Sequence, residues 1–205
     1  MKKPKLRELK EAVRAIFTGP YTSKFPKEPS PAFPGYRGEG KFNEDICIGC
    51  TACSEVCPSK AIKVEDDVDA DPPVRRITRH HDECIFCGSC HTHCTTGDGV
   101  VLTAEYDMSC LDRKEARVSI EKELCLCEHC GGVITTKDHI RWLSRKLGAK
   151  RFANPTLIVA LQRELGVAAD DSSAPQEKVT ADRDDIMRLL CPACRRQVVI
   201  REVWG

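Results

Sequence analysis

Hydrophobic and polar positions follow three different patterns along this chain. Near the N-terminus, Leu6, Leu9, Val13, Ile16 and Phe17 recur at three- and four-residue intervals with Lys and Arg between them, which predicts an amphipathic helix. Gly19-Pro20 ends it. From Gly19 to Lys41 the chain reads GPYTSKFPKEPSPAFPGYRGEGK, five prolines and four glycines in 23 residues. Fixed φ angles and missing N–H donors exclude a helix or a central strand there and predict an extended arm. Toward the C-terminus helical spacing returns. TTKDHIRWLSRKLG predicts a Thr-capped helix closing at Gly148. Asn154-Pro155 opens a second helix with Leu157, Ile158, Leu161 and Leu165 on one face. VAADDSSAPQEKVT predicts a flexible linker over 167–180, and DRDDIMRLL a short third helix.

Between these regions the chain is organised by a repeat. DICIGCTACSEVC recurs as DECIFCGSCHTHC, so that Cys47, Cys50, Cys53 and Cys57 each return 37 positions later as Cys84, Cys87, Cys90 and Cys94. VEDDVDADPP separates the halves as an acidic surface loop. The expected domains are therefore a helix and Pro/Gly-rich arm over 1–42, a cysteine-rich domain over 43–105, a connector over 106–124, and a second cysteine region over 125–205.

Composition narrows the possibilities. The 205 residues are 31% charged and 41% hydrophobic with a net charge of +1, which predicts a foldable, soluble chain without a global basic excess for nucleic acid. The basic residues concentrate instead in residues 1–41, where ten Lys and Arg face four Glu. No apolar signal core and no run long enough to span a membrane is present, and aromatic residues are only 5%. Something other than a large aromatic core must help hold the fold. Fourteen cysteines, ten of them in C-x-x-C spacings, point to metal in a reducing compartment rather than to disulfides.

Each repeat has the spacing C-x2-C-x2-C-x3-C, the bacterial ferredoxin signature for [4Fe–4S] clusters, and Pro58 follows the first. Three cysteines at this spacing wrap one face of a cubane, while the fourth opens a helix that points away and reaches only the neighbouring cluster. Cluster one is thus assigned to Cys47, Cys50, Cys53 and Cys94, and cluster two to Cys84, Cys87, Cys90 and Cys57. Gly49, Ala52, Gly88 and Ser89 let backbone amides approach the sulfides, and Ile46, Ile48, Ile62, Ile85 and Phe86 exclude water. With every ligand position filled by cysteine, no iron is left open for substrate, so the chemistry is electron transfer. The bland alternative is a pair of clusters that only staple the fold. His91 and His93 are expected to be surface histidines.

The remaining cysteines pose a separate question. Cys127-x2-Cys130 and Cys191-Pro192-Ala193-Cys194 resemble two zinc knuckles, and two knuckles complete a structural site of four thiolates. Cys110 and Cys125 are then left over as small buried hydrophobes. The rival is a third iron–sulfur cluster on Cys125, Cys127 and Cys130 with Cys110 or a later cysteine. The expected architecture is α+β: a ferredoxin-like core of two small antiparallel hairpins and two short helices, an N-terminal helix and arm, and a helical zinc-knuckle tail.

The basic helix, the arm FTGPYTSKFPKEP, the two cluster motifs and the following GVVLTAEYD resemble the two-cluster ferredoxin-like subunit of respiratory complex I. They resemble still more closely its relatives in group 4 membrane-bound [NiFe] hydrogenases, including the formate hydrogenlyase type. The resemblance covers residues 1–115, and some hydrogenase-type members also end in a CPxC tail. Thr95 departs from the Pro that many ferredoxins place after the last ligand. The resemblance implies an electron-relaying subunit of an anaerobic multisubunit oxidoreductase, peripheral on the cytoplasmic face of the membrane, partnered by [NiFe] hydrogenase and membrane subunits and by a ferredoxin or dehydrogenase. The alternatives are a freely diffusing ferredoxin or adaptor of a soluble dehydrogenase, and an iron–sulfur protein that binds nucleic acid; the basic stretches RKLGAKR and RRQ lack the aromatic platform the latter needs.

Overall fold

The computed structural model describes residues 5–19, 21–167 and 183–204, so most of the expected linker, 168–180, lies outside the described residues. The chain divides into two compact units, Met1–Tyr36 and Arg37–Gly205. The first contains α1 (Leu6–Thr18), where the predicted periodicity falls. The Lys5 backbone N–H donates to Glu8 Oε2 at 3.0 Å, and Gly19, at φ 72°, closes the last turn by donating to the Ala15 carbonyl. Its apolar stripe is exposed, from Leu6 at 87% to Val13 at 48%. Residues 21–36 contain turns but no helix or strand.

The second unit begins in the stretch expected to be arm. β1 (Gly40–Phe42) pairs antiparallel with β4 (Val100–Leu102), so the core is closed by strands from its two sequence ends. One of the two expected hairpins is thus replaced by a long-range pair. The other is present: β2 (Ile62–Asp67) and β3 (Val74–His80) turn around the acidic loop with Asp66 opposite Arg75. That cross-strand pair is held by two bonds of 2.7 Å from the guanidinium fork to the carboxylate. The short helices α2 (Ala52–Glu55) and α3 (Ser89–Thr92) follow the second cysteine of each repeat.

The stretch expected to be a connector behaves differently. β5 (Arg117–Leu126) pairs along β3 from Val74↔Glu123 to His80↔Arg117, and its far end pairs with β6 (Val133–Thr136). The result is a four-stranded sheet, β2-β3-β5-β6, continuous from the repeat region into the C-terminal region. The sequence RVSIEKEL carries the cause: Ile120 and Leu124 are buried while Ser119 and Glu121 are exposed. Ile120 joins Ile62, Ile77, Val100, Cys53 and Cys90 in one small core.

Two predicted helices follow, α4 (Lys137–Leu147) and α5 (Pro155–Glu164). Thr136 Oγ1 caps the first by accepting the His139 N–H, and Asn154 Oδ1 caps the second by accepting the Thr156 N–H at 3.0 Å. Leu157 is buried as expected, but Leu165 is exposed, because α5 ends at Glu164. A 3-10 turn at Arg183–Met187 stands where the short third helix was expected, and α6 (Pro192–Trp204) was not anticipated from the sequence.

Candidate metal centres

The cysteine loops acquire their shape from left-handed residues. Gly49 and Thr51 in the first loop have φ of 65° and 66°, and Phe86 and Gly88 in the second have 53° and 82°. Alternating backbone of this kind forms concavities lined by N–H groups that suit anions, iron–sulfur clusters included. Thr51 and Phe86 pay a steric penalty there of about 1–2 kcal/mol each, which the surrounding structure must over-determine. Gly49 also makes a close approach: a Cβ there would lie 2.8 Å from Thr136 Cγ2.

The structure brings the predicted ligands together in two sets. Cys57, Cys84, Cys87 and Cys90 line one cavity with Arg79, so the fourth cysteine of the first repeat sits with the first three of the second. In the other set, Cys47 and Cys94 meet at Gly99, whose added Cβ would lie 3.1 Å from Cys94 Sγ and 3.3 Å from Cys47 Cα. Cys50 Sγ is 3.2 Å from the hydroxyl of Thr95, the residue that replaces the usual Pro. Cys53 feels the charges of Cys47 and Cys50 and, across the gap, of Cys90. Both Cys53 and Cys90 belong to the same buried core, which puts the two sets side by side.

Burial raises some of these thiols. It pushes Cys53 up to about 12 and raises Cys47 and Cys90, while hydrogen bonding from Ser89 lowers Cys87. Metal ligation requires the thiolate form, so the buried Cys47, Cys53 and Cys90 give up their protons as a metal binds. His91 and His93 bond to backbone carbonyls, Val100 at 2.7 Å and Ser89 at 3.0 Å, and neither points to a ligand role.

The C-terminal cysteines form a tighter group. The ligand atoms of Cys127, Cys130, Cys191 and Cys194 all lie within 4.8 Å of one another. Cys130 Sγ and Cys191 Sγ are 3.8 Å apart. A Zn–S bond of about 2.3 Å gives a tetrahedron edge of about 3.8 Å, whereas a cubane binds each thiolate through a different iron and spreads them wider. Burial works against ionisation of Cys191, but the Cys194 N–H and the neighbouring sulfurs bring it down to about 7. The two C-x2-C segments are held in place by backbone: Cys127 N–H donates to the Gly132 carbonyl at 2.8 Å, and Glu128 N–H donates to the Leu189 carbonyl at 2.9 Å. This pairing is how a 60-residue gap closes. Cys127, Cys194, Leu190 and Val198 share a buried cluster, so the unanticipated α6 supplies the site's floor.

Cys125 is not among them. It packs with Ile140, Leu157, Val159 and Leu189 as a buried hydrophobe, and burial pushes its thiol up to about 11. Cys110 is exposed, contrary to expectation. Neither belongs to the four-cysteine group, in which Cys191 and Cys194 stand with Cys127 and Cys130 instead of the rival cluster's Cys125.

Sequence motifs missed Arg79. The residue is 1% exposed, and its guanidinium reaches two cysteines of the second set. The signal lay in the repeat: five residues before Cys84 stands Arg79, and five before Cys47 stands Phe42.

Comparison with known proteins agrees with this chemistry. Residues 46–97 match the family described as a 4Fe-4S dicluster domain, which makes the repeat region a [4Fe–4S]-binding domain. NADH-quinone oxidoreductase subunit I 2 of Geobacter metallireducens is 31% identical over 118 residues, 55% of this chain and 89% of that one. Formate hydrogenlyase subunit 6 of Escherichia coli is 28% identical over 184 residues, 90% of this chain and 86% of that one, a span that must include part of the C-terminal cysteine region. A chain of the membrane-bound sulfane sulfur reductase, an archaeal respiratory membrane complex, aligns with 28% identity and a TM-score of 0.38 over 57% of this chain and 61% of that chain. Among the described residues, no helix is long and apolar enough to cross a membrane.

Proposed function

The chain belongs to the family of NADH-quinone oxidoreductase subunit I, and we propose on that premise that it relays single electrons through two [4Fe–4S] clusters inside a complex I-like or hydrogenlyase-type membrane assembly. Cluster one is held by Cys47, Cys50, Cys53 and Cys94, and cluster two by Cys84, Cys87, Cys90 and Cys57. The observation that carries the proposal is the crossing of the fourth ligands, with Cys57 lining the cavity of the second loop and Cys94 meeting Cys47. Crossed ligands place the clusters side by side, and the buried Cys53 and Cys90 between them shield the path from water. When bound, the clusters supply reversible one-electron chemistry. The chain's own residues hold them, exclude water and set their surroundings; substrate chemistry takes place on another subunit.

Cys127, Cys130, Cys191 and Cys194 hold a structural Zn²⁺, supported by the 3.8 Å sulfur separation. The similarity to formate hydrogenlyase subunit 6 over 90% of the chain favours hydrogenase-type partners, with membrane subunits and a soluble electron donor. The subunit then lies peripherally on the cytoplasmic face, bound through those partners.

The test is anaerobic purification from native cells with metal analysis. Expected are about eight iron and about one zinc per chain, with hydrogenase and multispanning membrane subunits alongside. Twelve iron without zinc would overturn the tail assignment. A lone chain, or one with soluble dehydrogenase subunits only, would overturn the membrane assembly.

A further inference from the structure

The two thiolate sets differ in the charges that face them, and the difference centres on Arg79. Arg79 is 1% exposed, and its guanidinium donates from Nη2 to Cys84 Sγ at 3.2 Å and reaches Cys90 Sγ from Nη1 at 3.5 Å. Its Nε has no partner, and among the described residues no carboxylate forms an ion pair with it. A buried cation without an anion is strongly disfavoured. The fold nevertheless reserves space for this one. A Cβ at Gly40 would lie 1.7 Å from Arg79 Nη1 and 2.2 Å from Cζ, so only glycine on β1 leaves the guanidinium room.

The cations near the first set are already neutralised. Arg75 donates to the Gly49 carbonyl at 3.0 Å, but its other nitrogens are bound by Asp66. Lys122 donates to the Glu44 carbonyl and pairs with Asp138 at 3.0 Å. At the repeat position equivalent to Arg79 stands Phe42, packed against the apolar core.

Resting on the two-cluster reading, we propose that Arg79 is the resident counter-cation of the set Cys84, Cys87, Cys90 and Cys57, and makes the cluster held there the higher-potential member of the pair. Each reduction adds one electron, and so one negative charge, to a thiolate-bound cluster. A cation hydrogen-bonded to two of its sulfurs stabilises that added charge, whereas the paired Arg75 and Lys122 offer the other set little net charge. The first electron entering the subunit therefore settles on the side of Arg79.

The experiment is an EPR-monitored redox titration of the loaded protein with dithionite, with iron counted in each sample. Wild type at about eight iron with two resolvable potentials satisfies the two-cluster reading on its own. Arg79→Gln keeps donors but loses the charge; it is expected to lower the higher potential and leave the other in place. Arg79→Lys keeps the charge and should move it less. Gly40→Ala, which displaces the guanidinium without removing it, should shift the same signal in the same direction. A fully loaded Arg79→Gln protein with both potentials unmoved, or both moved alike, overturns the proposal. If Arg79→Gln does not load while Arg79→Lys does, the requirement for the charge is demonstrated directly. If neither loads, Arg79 serves packing and the proposal fails.

Discussion

Gly49 and Phe86 occupy the same place in the two cysteine loops, one residue before the second cysteine, and both are left-handed. Two residues farther on, Thr51 and Gly88 are left-handed as well. Glycine thus serves one of these positions in the first loop and the other in the second, while the backbone is the same in both. The lesson is that the common loop backbone, rather than side-chain preference, sets the conformation: Thr and Phe are held in a region they ordinarily avoid. What differs between the loops is their surroundings. The first loop leans on the C-terminal region, with Thr136 Oγ1 donating to the Ile48 carbonyl, and its cations are paired with Asp66 and Asp138. The second loop leans on Arg79 and Arg37, the latter donating to the Cys87 carbonyl. The proposed inequality of potential thus rests on these surroundings and not on the ligand motifs, which are nearly identical.

The largest test of this comparison crosses the loops. Cys57→Ser should abolish the EPR signal assigned to the Arg79 side although Cys57 belongs to the first repeat, and Cys94→Ser should abolish the other. Each variant should lose about half the iron. Loss of the same signal in both variants would contradict the crossed assignment.

A smaller effect is expected at the support of the first loop. Thr136→Val removes the cap of α4 and the donor to Ile48 while keeping the side chain's shape. The expected cost is about 1–2 kcal/mol, read as a lower thermal midpoint. Cluster one should become the more readily lost on mild oxidation, with the second loop's signal unchanged; equal loss from both loops would mean that Thr136 supports the whole unit.

The smallest effect sharpens the electrostatic contrast. Asp66→Asn uncovers the charge of Arg75 beside Gly49. The potential of the first set should rise modestly, narrowing the gap to the second, because Arg75 touches a carbonyl rather than a thiolate and its side chain is 12% exposed. A fall in that potential would contradict the assignment of Arg75 to the first set's surroundings.

Much of this was readable along the chain because it is local chemistry. The repeat of C-x2-C-x2-C-x3-C points to [4Fe–4S] binding, and the helices α1, α4 and α5 follow from apolar spacing and caps at Thr136 and Asn154. Both halves of the C-terminal four-cysteine group were visible as C-x2-C pairs. Cys110 was misplaced because nothing in its neighbourhood states whether the chain there packs or projects. β5 carried its alternation in RVSIEKEL but was passed over, since a strand is recognised with assurance only when its pairing partners are known.

The amino-acid order alone was enough to name the cluster chemistry, since metal ligands declare themselves by residue type and spacing. Tertiary structure was needed wherever the deciding partner is remote in sequence. Gly40 and Arg79 are 39 positions apart, Thr136 and Ile48 are 88, and Cys130 and Cys191 are 61. Contacts of that kind, and with them the burial of one cation and the neutralisation of two others, arise only when the sheet and its closing strands assemble.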